Sequence, residues 1–140
     1  MTLKTAKELY PDCTEYGDFY APCDYKPIYE SFGEIIRKDD IGDYQGDTQV
    51  LLYDEGKKQY GYICFGWGSC SMCDRLQGCE SYEEIDNLIN DLYASIRWFD
   101  DDNEALRFFT THEWHFDYSH SQAFVDFCTE FFRKRIDGKC

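Results

Sequence analysis

The chain has 140 residues, of which 43% are apolar and 19% aromatic, and its formal net charge is −14 at pH 7. This composition excludes a disordered chain, and the length fits a single domain with a substantial core over residues 1–140. Because the negative charge repels phosphate groups, we expect no direct binding to nucleic acid and no membrane partner.

The N-terminal residues, about 1–30, predict an irregular segment, because Pro11, Pro22, Pro27 and Gly17 interrupt any regular pattern. Only residues 3–9 predict a short helix in this region. Residues 32–37 predict a strand, and residues 39–46 predict a turn-rich loop.

Residues 47–66 predict a β-hairpin. Residues 47–53 and 59–65 are rich in β-branched and aromatic side chains, and the intervening DEGKK segment is typical of a turn. The apolar runs in both strands indicate that both faces of the hairpin are covered, with helices on at least one of them.

Two C-terminal helices follow. Ser81 and Glu84 form a capping-box pattern, and apolar residues then recur at helical spacing, which predicts a helix over about 81–99. Residues 100–102 end that helix and cap a short one through residue 109, and residues 114–118 predict a short strand. A last helix is predicted over about 121–136. The fold class is therefore α+β, with a small antiparallel sheet packed by C-terminal helices.

A cysteine-rich segment gives the first candidate site. Cys64, Cys70, Cys73 and Cys79 have the spacing C-x5-C-x2-C-x5-C with glycines between them. A C-x2-C pair on a tight turn directs two thiolates toward one point, as tetrahedral zinc requires. Zinc, buried structural thiols and a redox pair all remain open interpretations of this segment.

A histidine segment, TTHEWHFDYSH at residues 110–120, gives the second candidate site. His112 or His115, or His120 beside them, is a possible substitute for one of the cysteine ligands. Glu113 or Asp117 beside a histidine would also allow acid–base chemistry. Aromatic packing with half-exposed histidines is the competing interpretation.

The acidic residues are unevenly distributed. Residues 81–104 contain eight acidic groups and one basic group, Arg97. Such a field favours basic partners and accelerates encounter with them, although it also serves solubility. The candidate contact residues are Glu83, Glu84, Asp86, Asp91, Asp100, Asp101 and Asp102.

Three segments carry a resemblance to a family: DYQGD at residues 43–47, FGWGSCSMCDRL at 65–76 and SIRWF at 95–99. Together they resemble a group of small proteins from bacteriophages and their hosts with a YQGD…GYGSCSGCD…SIRWF pattern, over about residues 40–115. Met72 replaces the usual glycine. The resemblance implies a phage-type accessory protein and assigns no catalytic role.

We therefore expect a non-enzymatic accessory protein that binds and inhibits a host protein with a basic surface, with a possible anti-defence role. Its carboxylates would imitate the phosphates of a nucleic acid. The alternatives are a zinc-stapled domain or small metal-dependent enzyme, and a protein that binds a small ligand or nucleotide. The N-terminal residues lack an apolar stretch, so we expect no signal peptide and a cytoplasmic location.

Overall fold

The structure, a computed structural model, describes residues 3–72 and 74–138. Its elements are, in chain order, α1 (Ala6–Leu9), α2 (Lys26–Glu30), β1 (Glu34–Gly42), β2 (Gly46–Asp54), β3 (Gln59–Trp67), α3 (Tyr82–Ala94), β4 (Arg97–Trp98), α4 (Asp102–Thr111) and α5 (Gln122–Ile136). The predicted α+β class is confirmed: the strands form an antiparallel sheet in the order β1-β2-β3-β4, packed by helices.

The sheet separates two hydrophobic cores. Successive strand side chains point to opposite faces, so Leu52 and Val50 lie in one core and Leu51 lies in the other. The first core lies against α1, α2 and α3, and the second lies against α4 and α5. The apolar runs of the predicted hairpin thus reflect helices on both faces of β2 and β3.

Helix α3 begins as its capping pattern predicts and ends earlier than expected. Ser81 is the N-cap, and its Oγ accepts a hydrogen bond from the Glu84 backbone N–H at 3.2 Å. The helix stops at Ala94 rather than near residue 99. The chain then passes along the sheet edge as β4, which brings Ile96 into the first core and Phe99 into the second. The helical spacing of Phe99 in the sequence is therefore coincidental.

The short strand β4 approaches β3 at a glycine. A Cβ atom built on Gly61 would lie 2.7 Å from the Trp98 ring and 2.8 Å from Ile96, too close for any side chain. The absence of a side chain at residue 61 therefore allows the chain to close this edge of the sheet.

Three further predictions of local structure are wrong. Lys26–Glu30 form the short helix α2 inside the segment that was expected to be irregular. Residues 39–42 and 46 belong to β1 and β2 rather than to a loop, and residues 114–118 form a coil and turn rather than a strand. The second half of the outer strand β1 shows no apolar pattern because its charged side chains form ion pairs, Arg37 with Asp39 at 2.7 Å and Lys38 with Asp40 at 2.6 Å. A bulge between Ile35 and Arg37 interrupts its register with β2.

Candidate functional site

Several connecting segments gather at one end of the sheet, where β1 and β3 finish and β2 starts. Gly42 pairs with Gly46 across a tight turn, and Gly46 also pairs with Trp67. Gly42 has a φ of +116°, and a Cβ on Gly46 would meet the Ile41 carbonyl at 1.8 Å, so the turn requires glycine at both positions. We refer to this edge as the loop end of the sheet.

A cavity of about 260 Å³ opens at the loop end. Its lining comes from the start of α2, the end of β1 and the end of β3, and includes Asp24, Tyr25, Tyr29, Lys38, Asp40 and Trp67. We refer to it as the loop-end cavity. It combines aromatic walls with both signs of charge, which is typical of a site that orients a ligand through a few polar groups.

A hydrogen-bond chain fixes one wall of the loop-end cavity. The Trp67 Nε1–H donates to Thr48 Oγ1 at 2.9 Å, and the Thr48 hydroxyl donates in turn to Asp40. Asp40 also holds the Lys38 ammonium group at 2.6 Å. The indole and the ion pair are therefore held in place before any ligand binds.

A buried tyrosine–aspartate pair lies behind this wall. The Tyr25 hydroxyl donates to Asp74, which also accepts from the Leu76 backbone N–H and from Gln77 Nε2, each at 3.0 Å. Asp74 is 4% exposed, and burial raises the pKa of Tyr25 well above its usual range. Asp74, next to the cysteine pair in sequence, therefore anchors the loop against α2.

The structure does not bring Cys64 and Cys79 together. Cys64 lies on β3 facing the second core, whereas Cys79 is part of the first core and donates its Sγ–H to the Arg75 carbonyl at 3.3 Å. Burial raises the pKa of Cys64 to about 11. Cys70 is exposed, and Cys73 lies outside the described residues.

The three histidines gather on the side of the second core. The His115 and His120 rings stack with centroids 5.8 Å apart, and the His112 ring lies 6.5 Å from that of His120. His120 Nδ1 accepts a hydrogen bond from the His115 backbone N–H at 2.8 Å. Burial, helped by the two neighbouring imidazoles, lowers the pKa of His120, and Asp47 opposes that shift.

Metal binding by these candidate ligands remains a prediction. Among residues 3–72 and 74–138, no group of three or more His, Cys, Asp or Glu side chains is arranged to hold a metal ion. The sequence predicted ligands by spacing along the chain, whereas the sheet places Cys64 and Cys79 on opposite faces.

The seven predicted contact residues form two groups in different layers. Glu83, Glu84, Asp86 and Asp91 lie on α3 beside the first core, whereas residues 100–102 lie at the start of α4 beside the second. Several also have structural roles. Asp86 accepts from the Ala6 backbone N–H at 2.7 Å, and Asp91 pairs with Arg75 at 2.7 Å.

The α4 group is similarly engaged with the rest of the fold. Asp101 caps the helix by accepting from the Glu104 backbone N–H at 2.8 Å, and Asp102 pairs with Arg135 at 3.0 Å. Asp100 accepts from Gln59 Nε2 at 3.4 Å. These three carboxylates therefore stabilise the α4 terminus and its contacts.

A larger acidic surface arises where the N-terminal segment packs against α3. The Tyr82 hydroxyl donates to the Tyr10 carbonyl at 2.6 Å and accepts from the Cys13 backbone N–H at 3.3 Å. The two segments joined by this contact, residues 3–18 and 80–86, contain eight acidic residues and two lysines. We refer to this surface as the acidic face; its carboxylates are Glu8, Asp12, Glu15, Asp18, Glu80, Glu83, Glu84 and Asp86.

The acidic face was missed in the sequence because it depends on a contact between distant segments. The N-terminal acids are spaced irregularly, and nothing in residues 1–30 indicates that they pack against α3. Tyr16 and Tyr20, in the same segment, are 80% and 59% exposed. The face therefore combines carboxylates with large amphipathic side chains.

No protein-family model matches the chain, and neither a curated protein nor a solved structure matches it significantly. Within the part of the chain that the structure describes, none of the helices has the length and apolarity that a membrane crossing requires.

Proposed function

We propose that the protein is a non-enzymatic binding protein whose acidic face occupies a basic surface of a partner protein and thereby inhibits it. The observation that carries this proposal is the packing of residues 8–18 beside the start of α3, which gathers carboxylates from two distant segments. Glu83, Glu84 and Asp86 belong to both the predicted contact set and this face.

Electrostatics supports a basic target. A surface with this excess of negative charge steers a positively charged partner and suppresses acidic ones. A groove that binds nucleic acid is a suitable target, because it already accommodates a row of phosphates and releases counterions when they bind. The phage-type resemblance is consistent with a host protein as the target.

The exposed tyrosines support a protein partner. Tyr16 and Tyr20 offer large contact areas with a polar end, a combination that is enriched at protein interfaces. The carboxylates would raise the association rate and select a basic partner, and the tyrosine rings would contribute surface area that is buried in the complex.

The proposal is tested with two variants that remove the same charge from different surfaces. The face variant carries Asp12→Asn, Glu15→Gln, Asp18→Asn and Glu83→Gln. The control variant carries Asp117→Asn, Asp126→Asn, Glu130→Gln and Asp137→Asn. A host-lysate partner is captured with the unmodified protein, purified, and titrated against each variant at low and high salt.

We expect affinity for the partner to fall about tenfold or more from low to high salt, because several charges are neutralised on binding. The face variant should bind about tenfold more weakly, and the control variant should bind as the unmodified protein does. An affinity independent of salt, or equal losses in both variants, would remove the acidic face as the binding surface.

Zinc binding remains the alternative that the C-x2-C spacing supports. Elemental analysis of the purified protein tests it directly. Stoichiometric zinc that is lost together with stability in the Cys70→Ser variant would favour the zinc-stapled domain.

A further inference from the structure

A hydrogen bond links the N-terminal segment that carries part of the acidic face to the lining of the loop-end cavity. The Tyr10 hydroxyl, at the end of α1, donates to the Asp24 carbonyl at 2.5 Å, and Asp24 lines the cavity. A partner that contacts residues 8–18 would therefore also lie near the opening of the cavity.

The polar groups of the cavity are arranged around one phenol. Lys38, Asp40 and Asp24 all act electrostatically on Tyr29, whose pKa burial raises. Asp24 is exposed, and its Oδ1 accepts a hydrogen bond from the Lys26 backbone N–H at 2.9 Å. Asp24 and Asp40 thus both contribute carboxylates to the cavity that Tyr29 lines.

The charge balance favours a cationic ligand over an anion. The lining carries three carboxylates, Asp24, Asp40 and Asp74, against two lysines, Lys26 and Lys38. Lys38 is already paired with Asp40 at 2.6 Å, and the Asp24 carboxylate has no lysine or arginine partner among the ion pairs of the described residues. An anion would meet Asp24, Asp40 and the buried Asp74 behind them. A cation entering beside Asp24 meets an available carboxylate instead.

The aromatic walls select a flat cation. Tyr25 and Trp67 line the same cavity, and a guanidinium group binds both to ring faces and to carboxylates, which an ammonium group does less well. On these grounds we propose that the loop-end cavity takes the guanidinium group of an arginine side chain from the basic partner. This inference rests on the proposed function, since it names the side chain through which that partner is held.

The test titrates blocked arginine, N-acetyl-arginine methylamide, into the 140-residue protein. Trp67 supplies the readout: its indole N–H is fixed by Thr48 and gives a separate signal in ¹⁵N NMR spectra. Blocked citrulline, which has the same shape without the charge, and blocked lysine are the matched ligands. The variant Asp24→Asn keeps an acceptor for the Lys26 N–H, and Asp126→Asn removes an exposed charge from α5 as a control.

We expect a saturable shift of the Trp67 indole signal with blocked arginine and none with blocked citrulline. Asp24→Asn should weaken this binding about three- to fivefold, since one exposed carboxylate is removed, while Asp126→Asn leaves it unchanged. The indole signals of Trp98 and Trp114 report that each variant is folded.

Three results would overturn the inference: no saturable shift, an equal response to blocked citrulline or lysine, or unchanged affinity in Asp24→Asn. The inference and the proposed function fail separately. If blocked arginine does not bind while partner binding remains steeply salt-dependent, only the cavity assignment is wrong. If blocked arginine binds but the substitutions on the acidic face do not change the affinity for the partner, only the proposed function is wrong.

Discussion

Leu51 provides the sharpest test of the two-core architecture. It is fully buried in the second core, against a group of aromatic rings that includes Phe109, Phe124 and Phe132, each no more than 1% exposed. Replacement of a buried leucine by alanine costs about 2–5 kcal/mol, and the cost is highest where the surroundings do not collapse into the cavity. Rigid rings on one side and the sheet on the other oppose collapse, so Leu51→Ala should lower the free energy of unfolding by about 3–4 kcal/mol.

The same loss is expected in thermal unfolding as a fall in Tm of about 10–15 °C for a chain of this length. Urea denaturation followed by tryptophan fluorescence measures the free energy directly, and an unchanged m-value confirms that only stability has changed. A loss of less than about 1 kcal/mol would mean that Leu51 does not fill the second core as described.

A pair of double-mutant cycles tests whether the sheet separates the two cores. Val50 and Ile63 are paired across β2 and β3 in the first core, whereas Leu51 faces the second. Leu51→Ala and Ile63→Val should therefore be additive within about 0.5 kcal/mol, whereas Val50→Ala and Ile63→Val should be coupled by more than that. The reverse order of the two coupling energies would refute the assignment of faces.

Three further predictions concern buried polar groups. Gln49→Leu should cost about 2 kcal/mol in urea denaturation, because Gln49 donates to the Tyr62 hydroxyl at 3.0 Å and accepts from a backbone N–H at 2.6 Å; a neutral effect would contradict these two bonds. The pKa of His120 is lower in the folded protein than in the unfolded chain, so the unfolded chain binds a proton at this imidazole more tightly. The free energy of unfolding should therefore fall as the pH drops below about 6.5, and the fall should be smaller in the His120→Asn variant. Burial raises the pKa of Cys128, which is 0% exposed, so peptide mapping after maleimide labelling should show Cys23 modified well before Cys128; equal rates would contradict the packing of α5.

Local signals in the sequence account for the elements that were predicted correctly. The capping residue Ser81 located the start of α3, and the β-prone runs located β2 and β3 almost to the residue. Helix α5 likewise begins directly after its cap, Ser121, within the predicted range of 121–136. In each case a hydrogen bond between residues close in sequence, or a regular spacing of apolar residues, identifies the element.

The remaining features depend on contacts between distant residues. The second half of strand β1 is held by pairing with β2 and by ion pairs, so its sequence resembles a charged loop. The loop-end cavity joins Asp24, Lys38 and Trp67, and no spacing rule links three such positions. The cysteine spacing, in contrast, predicted a proximity of Cys64 and Cys79 that the sheet does not allow.

The two outer edges of the sheet have a consequence for the behaviour of the protein at high concentration. An exposed strand edge offers unpaired N–H and C=O groups on which another copy can add a strand, which is a common route to aggregation. Here one edge is β4, only two residues long, and the other is β1, which is bulged near its start and carries the ion pairs Arg37–Asp39 and Lys38–Asp40. Neither edge offers a long, flat strand on which another copy could add a strand, so both edges of this open sheet disfavour self-association.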